Sequence, residues 1–172
     1  MVEAKEIIDY FNKIDIKKKS SDEYVRDTVK GIFGVSELSV LNDFFNKISL
    51  SENDIFVDLG SGDGRVNILA SIYSKSIGIE FDKELVVESI ANNAFLQTSA
   101  EFIEQDYELY DFSDTTIIFS FADHFFSDDF IKKLKKEFKG KLFVYEGIFT
   151  PDNLRKGKTI WIGQTPIISY QF

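Results

Sequence analysis

The chain has 172 residues, no cysteine and a formal net charge of −9. That excludes disulfides, thiolate metal sites and a cysteine nucleophile, and it argues against a nucleic-acid partner, which requires a basic footprint. An apolar share of 44%, with 18 phenylalanines, supplies a sizeable core for a single domain, residues 1–172.

Residues 2–18 place Ile7, Ile8, Phe11 and Ile14 on one side of a predicted helix that runs into Lys17-Lys18-Lys19. Ser20 and Glu23 have the capping-box spacing and predict a second helix to about Lys30, broken by Gly31-Ile-Phe-Gly34. Ser36 is placed to cap a third, in which Val40, Leu41, Phe44, Phe45 and Ile48 recur at helical spacing. Residues 1–50 thus read as a helical segment ahead of an α/β core, 51–172, on which it packs and over whose ligand it can close.

From Ile55 strands and helices alternate, the signature of a mostly parallel sheet. Strands are predicted at 55–59, 76–80, 101–105, 115–121 and 141–146. The intervening helices are 64–73, a long one at 83–97 with Leu85, Val86, Ile90, Ala94 and Phe95 as its apolar positions, and one capped by Ser127. In that last helix Phe130, Ile131, Leu134 and Phe138 face inward, Gly140 ends it, and Lys132, Lys133, Lys135, Lys136 and Lys139 form a local basic face. After residue 146 only about a dozen residues precede Thr159, with Pro151 and Gly157 among them, too few for a crossover helix. Thr159–Ile162 and Ile167–Phe172 flank Gly163-Gln-Thr-Pro166 and read as an antiparallel hairpin. No run of 18 or more apolar residues occurs and Met1-Val-Glu-Ala-Lys-Glu6 is not a signal peptide, so no membrane partner is expected and the cytoplasm is the expected location.

The chemistry concentrates at Ile55-Phe-Val-Asp-Leu-Gly-Ser-Gly-Asp-Gly-Arg65, where Gly60, Gly62 and Gly64 fall at alternate positions between a strand and a helix. Glycine lets the backbone turn with positive φ and lets a ligand lie against it, and such a turn at a strand's carboxyl end is a nucleotide-type site. It is not the dinucleotide pattern Gly-x-Gly-x-x-Gly, whose last glycine would fall at Arg65. About twenty residues on, Glu80 ends the second strand, where a carboxylate can accept from both hydroxyls of a ribose.

The spacing Asp-x-Gly-x-Gly-x-Gly resembles motif I of class I S-adenosylmethionine-dependent methyltransferases. The resemblance implies a Rossmann-like α/β fold with a mostly parallel seven-stranded sheet, its last strand inserted antiparallel, and S-adenosyl-L-methionine as cofactor. Phe33-Gly-Val-Ser-Glu37, Gly78-Ile-Glu80, Asp111–Ile118 and Val144-Tyr-Glu146 extend it over roughly residues 33–148 to small archaeal protein-lysine methyltransferases. More distantly the chain is similar to Dot1-like, non-SET histone lysine methyltransferases. Val35 stands where the archaeal loop has proline.

The cofactor-binding residues so implied are Ser36, Asp58, Gly60, Ser61, Gly62, Gly64, Glu80, Phe81, Asp106 and Tyr107. Asp58 would order the loop and meet the methionine ammonium, Glu80 the ribose, Phe81 the adenine ring and Asp106 its amino group. The catalytic position at the end of the fourth strand holds Ser120-Phe121-Ala122-Asp123-His124. It has none of the Asn/Asp-Pro-Pro-Tyr/Phe clamp of adenine and glutamine N-methylating enzymes. Phe121, Asp123 and His124 are the candidate catalytic residues, against a plain turn before the Ser127 helix. Phe33, Phe121, Tyr107 and Tyr145 are candidates for an apolar acceptor channel, with Asp123 or Glu146 at its mouth. No metal is implied.

The expected acceptor is lysine in a basic protein segment, matching the acidic charge. A small-molecule or RNA methyltransferase, or a cofactor-binding protein without turnover, remain open readings at this point.

Overall fold

The computed structural model describes residues 2–20, 26–27, 32–33, 36–122, 124–145, 149–151 and 153–172. Glu23, Val35, Asp123 and Glu146, and the side chain of Phe33, lie outside the described residues. The element order is α1 (Ala4–Ser20), β1 (Arg26–Asp27), β2 (Ile32–Phe33), α2 (Leu38–Ile48), β3 (Ile55–Leu59), α3 (Arg65–Ala70), β4 (Lys75–Glu80), α4 (Lys83–Leu96), β5 (Glu101–Glu104), β6 (Ile117–Ser120), α5 (Asp128–Glu137), β7 (Lys141–Tyr145), β8 (Arg155–Ile162) and β9 (Thr165–Gln171).

Seven strands form one sheet in the order β5-β4-β3-β6-β7-β9-β8. The first five run parallel, and β9 is antiparallel to both its neighbours. This is the sheet the sequence implied. Buried on both faces, the central strands are continuous apolar runs rather than alternating ones. On one face Phe56, Phe119 and Phe143 pack against Phe11, Phe44 and Phe45 of α1 and α2 and against Ile68 and Leu69 of α3. On the other, Val57, Ile118 and Val144 pack against Phe130, Ile131 and Leu134 of α5. Ser127 caps α5 as expected, its hydroxyl accepting the Phe130 N–H at 3.1 Å.

Three expectations are corrected. The helix expected from Ser20 to about Lys30 is not found where that span is described: Ser20 ends α1, and Arg26–Asp27 pairs antiparallel with Ile32–Phe33. A capping-box spacing is a local signal, which pairing between distant backbone segments can override. Ser36 does not cap α2. The N-cap is Glu37, with no side-chain cap bond, and Ser36 is buried beside the cavity described below. On α4, Ile90 and Phe95 are 52% and 70% exposed and Ala94 is exposed, while Ser89 and Asn92 face inward. The reason is steric. A Cβ on Gly64 would lie 2.7 Å from Ser89 Cβ, so the facing position must be small, and Asn92 Nδ2 donates to the Asp63 carbonyl at 3.0 Å.

Some element bounds also move. The hairpin is longer than predicted, because β8 absorbs Gly157 at an irregular register where Ser169 Oγ bonds both the N–H and the C=O of Lys158. The helix after the glycine loop ends at Ala70 rather than at 73.

Candidate functional site

A cavity of about 450 Å³ opens at the carboxyl ends of β3, β4 and β6. Its floor is the loop after β3. Gly60 N and Ser61 N both donate to the Ile79 carbonyl, at 2.9 and 3.1 Å, which locks the loop onto the end of β4. Gly60, Gly62 and Gly64 all have positive φ (73°, 55° and 81°). Their surroundings differ. At Gly60 nothing lies within 4 Å of where a Cβ would be, so the backbone is open to the cavity. Gly64 faces away from it, with a Cβ position 2.7–2.8 Å from Phe102 and Ser89. Gly64 is therefore spared a side chain by packing, not by a ligand.

Two carboxylates stand under the loop. Glu80 Oε2 accepts the Gly62 N–H at 2.9 Å and Oε1 accepts that of Asp82 at 2.8 Å. Asp58 is buried, shares the face of β3 that Phe56 occupies, and makes no hydrogen bond among the described residues. Burial, with the Glu80 charge adding to it, pushes the Asp58 carboxyl well above the usual carboxylate range. Ser61 Oγ is likewise buried with no partner among the described residues.

Much of the cavity lining is aromatic. Phe81, 44% exposed, lies beside Glu80. The lining also includes Phe121, packed edge-on at 5.0 Å against Tyr145, and Phe149, edge-on at 5.2 Å against the exposed Phe125. Asp106 caps the turn Tyr107–Leu109 by accepting the Glu108 N–H at 3.1 Å. Across the mouth Tyr107 Oη meets His124 Nε2 at 3.1 Å.

Of the residues singled out in the sequence, Ser36, Asp58, Gly60, Ser61, Gly62, Glu80, Phe81, Asp106, Tyr107, Phe121 and His124 thus line one cavity. Gly64 does not, and Tyr145 lies buried beneath Phe121. The sequence reading passed over Phe126 and Phe149, which complete the aromatic wall, and the pair Asp63 and Arg65 at the loop's far end. For that pair a signal existed: two opposite charges stand two residues apart where a glycine loop leads straight into an apolar helix, so burial would require them to be paired.

The family model of the histone methylation protein DOT1 matches residues 10–156. The chain belongs to the DOT1 family. A search of curated protein sequences finds no match. Among solved structures the DOT1-family chain is similar to an RNA methyltransferase from Salinibacter ruber in complex with S-adenosyl-L-homocysteine, with TM-score 0.64, 20% identity, and 80% and 92% of the two chains covered. It is also similar to an S-adenosylmethionine-dependent methyltransferase from Aquifex aeolicus (TM-score 0.60, 16% identity, 99% and 98% covered). A third is the tRNA (uracil-54, C5)-methyltransferase of Pyrococcus abyssi (TM-score 0.61, 12% identity, 83% and 40% covered). At these identities the likeness is one of fold.

The DOT1-family protein is a methyltransferase whose cofactor is S-adenosyl-L-methionine. The residues present suit that group. A ligand with an ammonium, hydroxyls and a flat base would find a buried acid at Asp58, an open backbone at Gly60 and an exposed ring at Phe81, whereas Ser61 Oγ is packed against Gly78. Among the described residues no helix is long and apolar enough to cross a membrane.

Proposed function

We propose that this protein methylates lysine side chains in basic protein segments of the cytoplasm, as a single-domain enzyme related to the archaeal protein-lysine methyltransferases. The observation that carries the reading is a single cavity whose lining combines two buried or half-buried carboxylates and an open backbone, at Asp58, Glu80 and Gly60, with the rings of Phe81, Phe121, Phe126 and Phe149. In this reading Asp58 faces the methionine ammonium, Gly60 to Gly62 the methionine and ribose, and Glu80 the ribose hydroxyls through the lone pairs left over from Gly62 and Asp82. Phe81 and Tyr107 flank the base, and Asp106 takes its amino group. Ser36 closes the side nearest α2.

When bound, S-adenosyl-L-methionine supplies an electrophilic methyl group on a sulfonium, already activated for transfer. What remains for the protein is to align the acceptor and keep it neutral. Deprotonating a lysine of pKa about 10.4 at pH 7 costs roughly 4.6 kcal/mol. Phe121, Phe126 and Phe149 desolvate the amine and favour its neutral form. His124, whose Nε2 lies 3.1 Å from the Tyr107 hydroxyl, is the group that takes up the released proton. Asp106 and Glu108 at the rim, with the net charge of −9, draw basic segments toward the mouth.

Incubating the purified protein with tritium-labelled S-adenosyl-L-methionine and lysine-rich proteins is expected to label lysine side chains, located by mass spectrometry. Transfer to RNA or a metabolite fraction but to no protein would overturn the acceptor assignment. Tight cofactor binding with no transfer to any of the three would mark a protein without turnover.

A further inference from the structure

The glycine loop is held at two places. Glu80 takes the Gly62 N–H. Further along the loop the hub is Asp63, which with Arg65 borders the cavity as well. Its carboxylate receives Arg65 Nε at 2.9 Å and Nη2 at 2.7 Å, and its carbonyl receives Asn92 Nδ2 at 3.0 Å. Both ties continue into the N-terminal helix. Arg65 Nη1 and Nη2 donate to the two carboxylate oxygens of Asp15 at 2.9 and 2.8 Å, and the guanidinium lies 4.9 Å over the Phe11 ring. Asn92 Oδ1 accepts from Tyr10 Oη at 2.8 Å. Arg65 and Asp63 keep only 4% and 1% of their side chains exposed.

This is not how a helix is docked for stability alone. Ile7 and Phe11 already bury α1 against the core, and apolar contact does that at no desolvation cost. A buried ion triad is a poor source of stability but a directional one, and its geometry fixes the parts it joins. Here the forked guanidinium spans Asp15 and Asp63 at once, which a lysine could not do. Everything it fixes converges on Asp63, which lies between two glycines of positive φ, Gly62 and Gly64.

We propose that α1 is a working part of the cofactor site, with Asp15 and Tyr10 as positioning residues. They hold Asp63 and so set the curvature of the Gly60–Gly64 loop. The inference rests on the cofactor lying against that loop. Coupling of this kind is reciprocal: if docked α1 strengthens cofactor binding, bound cofactor strengthens the docking of α1 by the same factor.

Calorimetry with S-adenosylhomocysteine on the full chain tests it, comparing wild type with Asp15→Asn, Asp15→Glu, Tyr10→Phe and Glu88→Gln. Glu88→Gln removes the 2.7 Å bond from Lys18, a tie between α1 and α4 that does not reach the loop. Asp15→Asn is expected to weaken binding about tenfold, in the range typical of coupled sites. Tyr10→Phe, which keeps the ring stacked 4.9 Å from Phe95, is expected to weaken it about threefold for one lost hydrogen bond. Asp15→Glu should recover part of the loss, and Glu88→Gln should lower the melting temperature while leaving affinity alone. With saturating cofactor, kcat and the acceptor KM stay at wild-type values. Hydrogen exchange should show α1 amides protected by ligand in wild type and not in Asp15→Asn. Unchanged affinity in Asp15→Asn, or an equal loss in Glu88→Gln, would overturn the proposal. Should Asp15→Asn fail to fold, Tyr10→Phe carries the same test. Failure of the wild type itself to bind would overturn the cofactor assignment along with it.

Discussion

Glu80 and Gly62 are joined at 2.9 Å across the cavity floor, carboxylate to backbone N–H. The parallel register of β3 and β4 brings this about, because it sets Leu59 beside Ile79 and so delivers the loop leaving β3 to the tip of β4. One acid therefore serves both the loop and whatever lies over it. Each of its oxygens already accepts one N–H and keeps one lone-pair direction for a second donor.

Removing that acid should cost more than a surface hydrogen bond. Glu80→Ala loses the charge-assisted bonds to the ribose hydroxyls and the restraint on Gly62. The expected loss is about 3 kcal/mol of cofactor binding, roughly a hundredfold in Kd. Glu80→Gln keeps one accepting oxygen and should fall between. Calorimetry with S-adenosyl-L-methionine checks both, and an unchanged Kd in Glu80→Ala would mean that the ribose lies elsewhere.

Gly60→Ala and Gly64→Ala separate loop geometry from packing. Both place a Cβ on a positive-φ backbone, at about 1–2 kcal/mol. At Gly64 that atom also meets Phe102 and Ser89 at 2.7–2.8 Å, adding roughly 1–3 kcal/mol of overpacking. Denaturant unfolding should therefore find Gly64→Ala the less stable of the two. Gly60→Ala, whose new methyl points into open cavity, should lose more in cofactor affinity than its stability change accounts for. Equal stabilities would contradict the packing assignment.

What the sequence made legible is what local pattern controls. The glycine spacing, the acid one strand later, and the β-branched and aromatic runs of β3 and β6 each report a backbone requirement or a burial environment. The outward turn of Ile90 and Phe95 was not legible. Periodicity marks apolar positions but cannot say that Ser89 and Asn92 must face inward to fit Gly64 and reach the Asp63 carbonyl. Ser36 was found through its loop, yet its expected capping role fails because the N-cap of α2 is one residue later, at Glu37. Phe149 sits in no periodic element at all, and only the folded chain brings it to the cavity that Phe81 also lines.

Phe149 is the wall residue whose truncation discriminates best. Phe121 also supports Tyr145 at 5.0 Å, so its loss would unsettle the core. Phe149 pairs only with the exposed Phe125 among the ring contacts of the described residues. Phe149→Ala is expected to raise the acceptor KM about five- to tenfold, the value of one lost aromatic contact at about 1–1.5 kcal/mol. The cofactor Kd should stay within a factor of about two if Phe149 faces the acceptor as proposed, since a few tenths of a kcal/mol is ordinary for such a change. Steady-state kinetics against a lysine-rich peptide measures the first, calorimetry the second. A shift in cofactor Kd with no shift in acceptor KM would assign Phe149 to the cofactor instead.

Asp58 gives the protein a pH dependence whose sign follows from its environment. Burial, then the Glu80 charge, raises its pKa in the folded chain. Unfolded, it titrates near the ordinary value of about 3.9. A raised folded pKa means that the native state binds the proton more tightly. This stabilising contribution is complete below about pH 3.9 and is lost as pH rises through the folded value. At neutral pH the ligand-free protein therefore carries a strained acid. Asp58→Asn, uncharged and of similar shape, should raise its melting temperature at pH 7, with the gain shrinking toward pH 4. The same variant should bind cofactor more weakly, because the ammonium loses the charge that the fold was strained to keep. Thermal melts across that range, with and without S-adenosylhomocysteine, read both effects. A variant less stable than wild type at pH 7 without ligand would show that Asp58 is already satisfied and is not held in reserve for a cation.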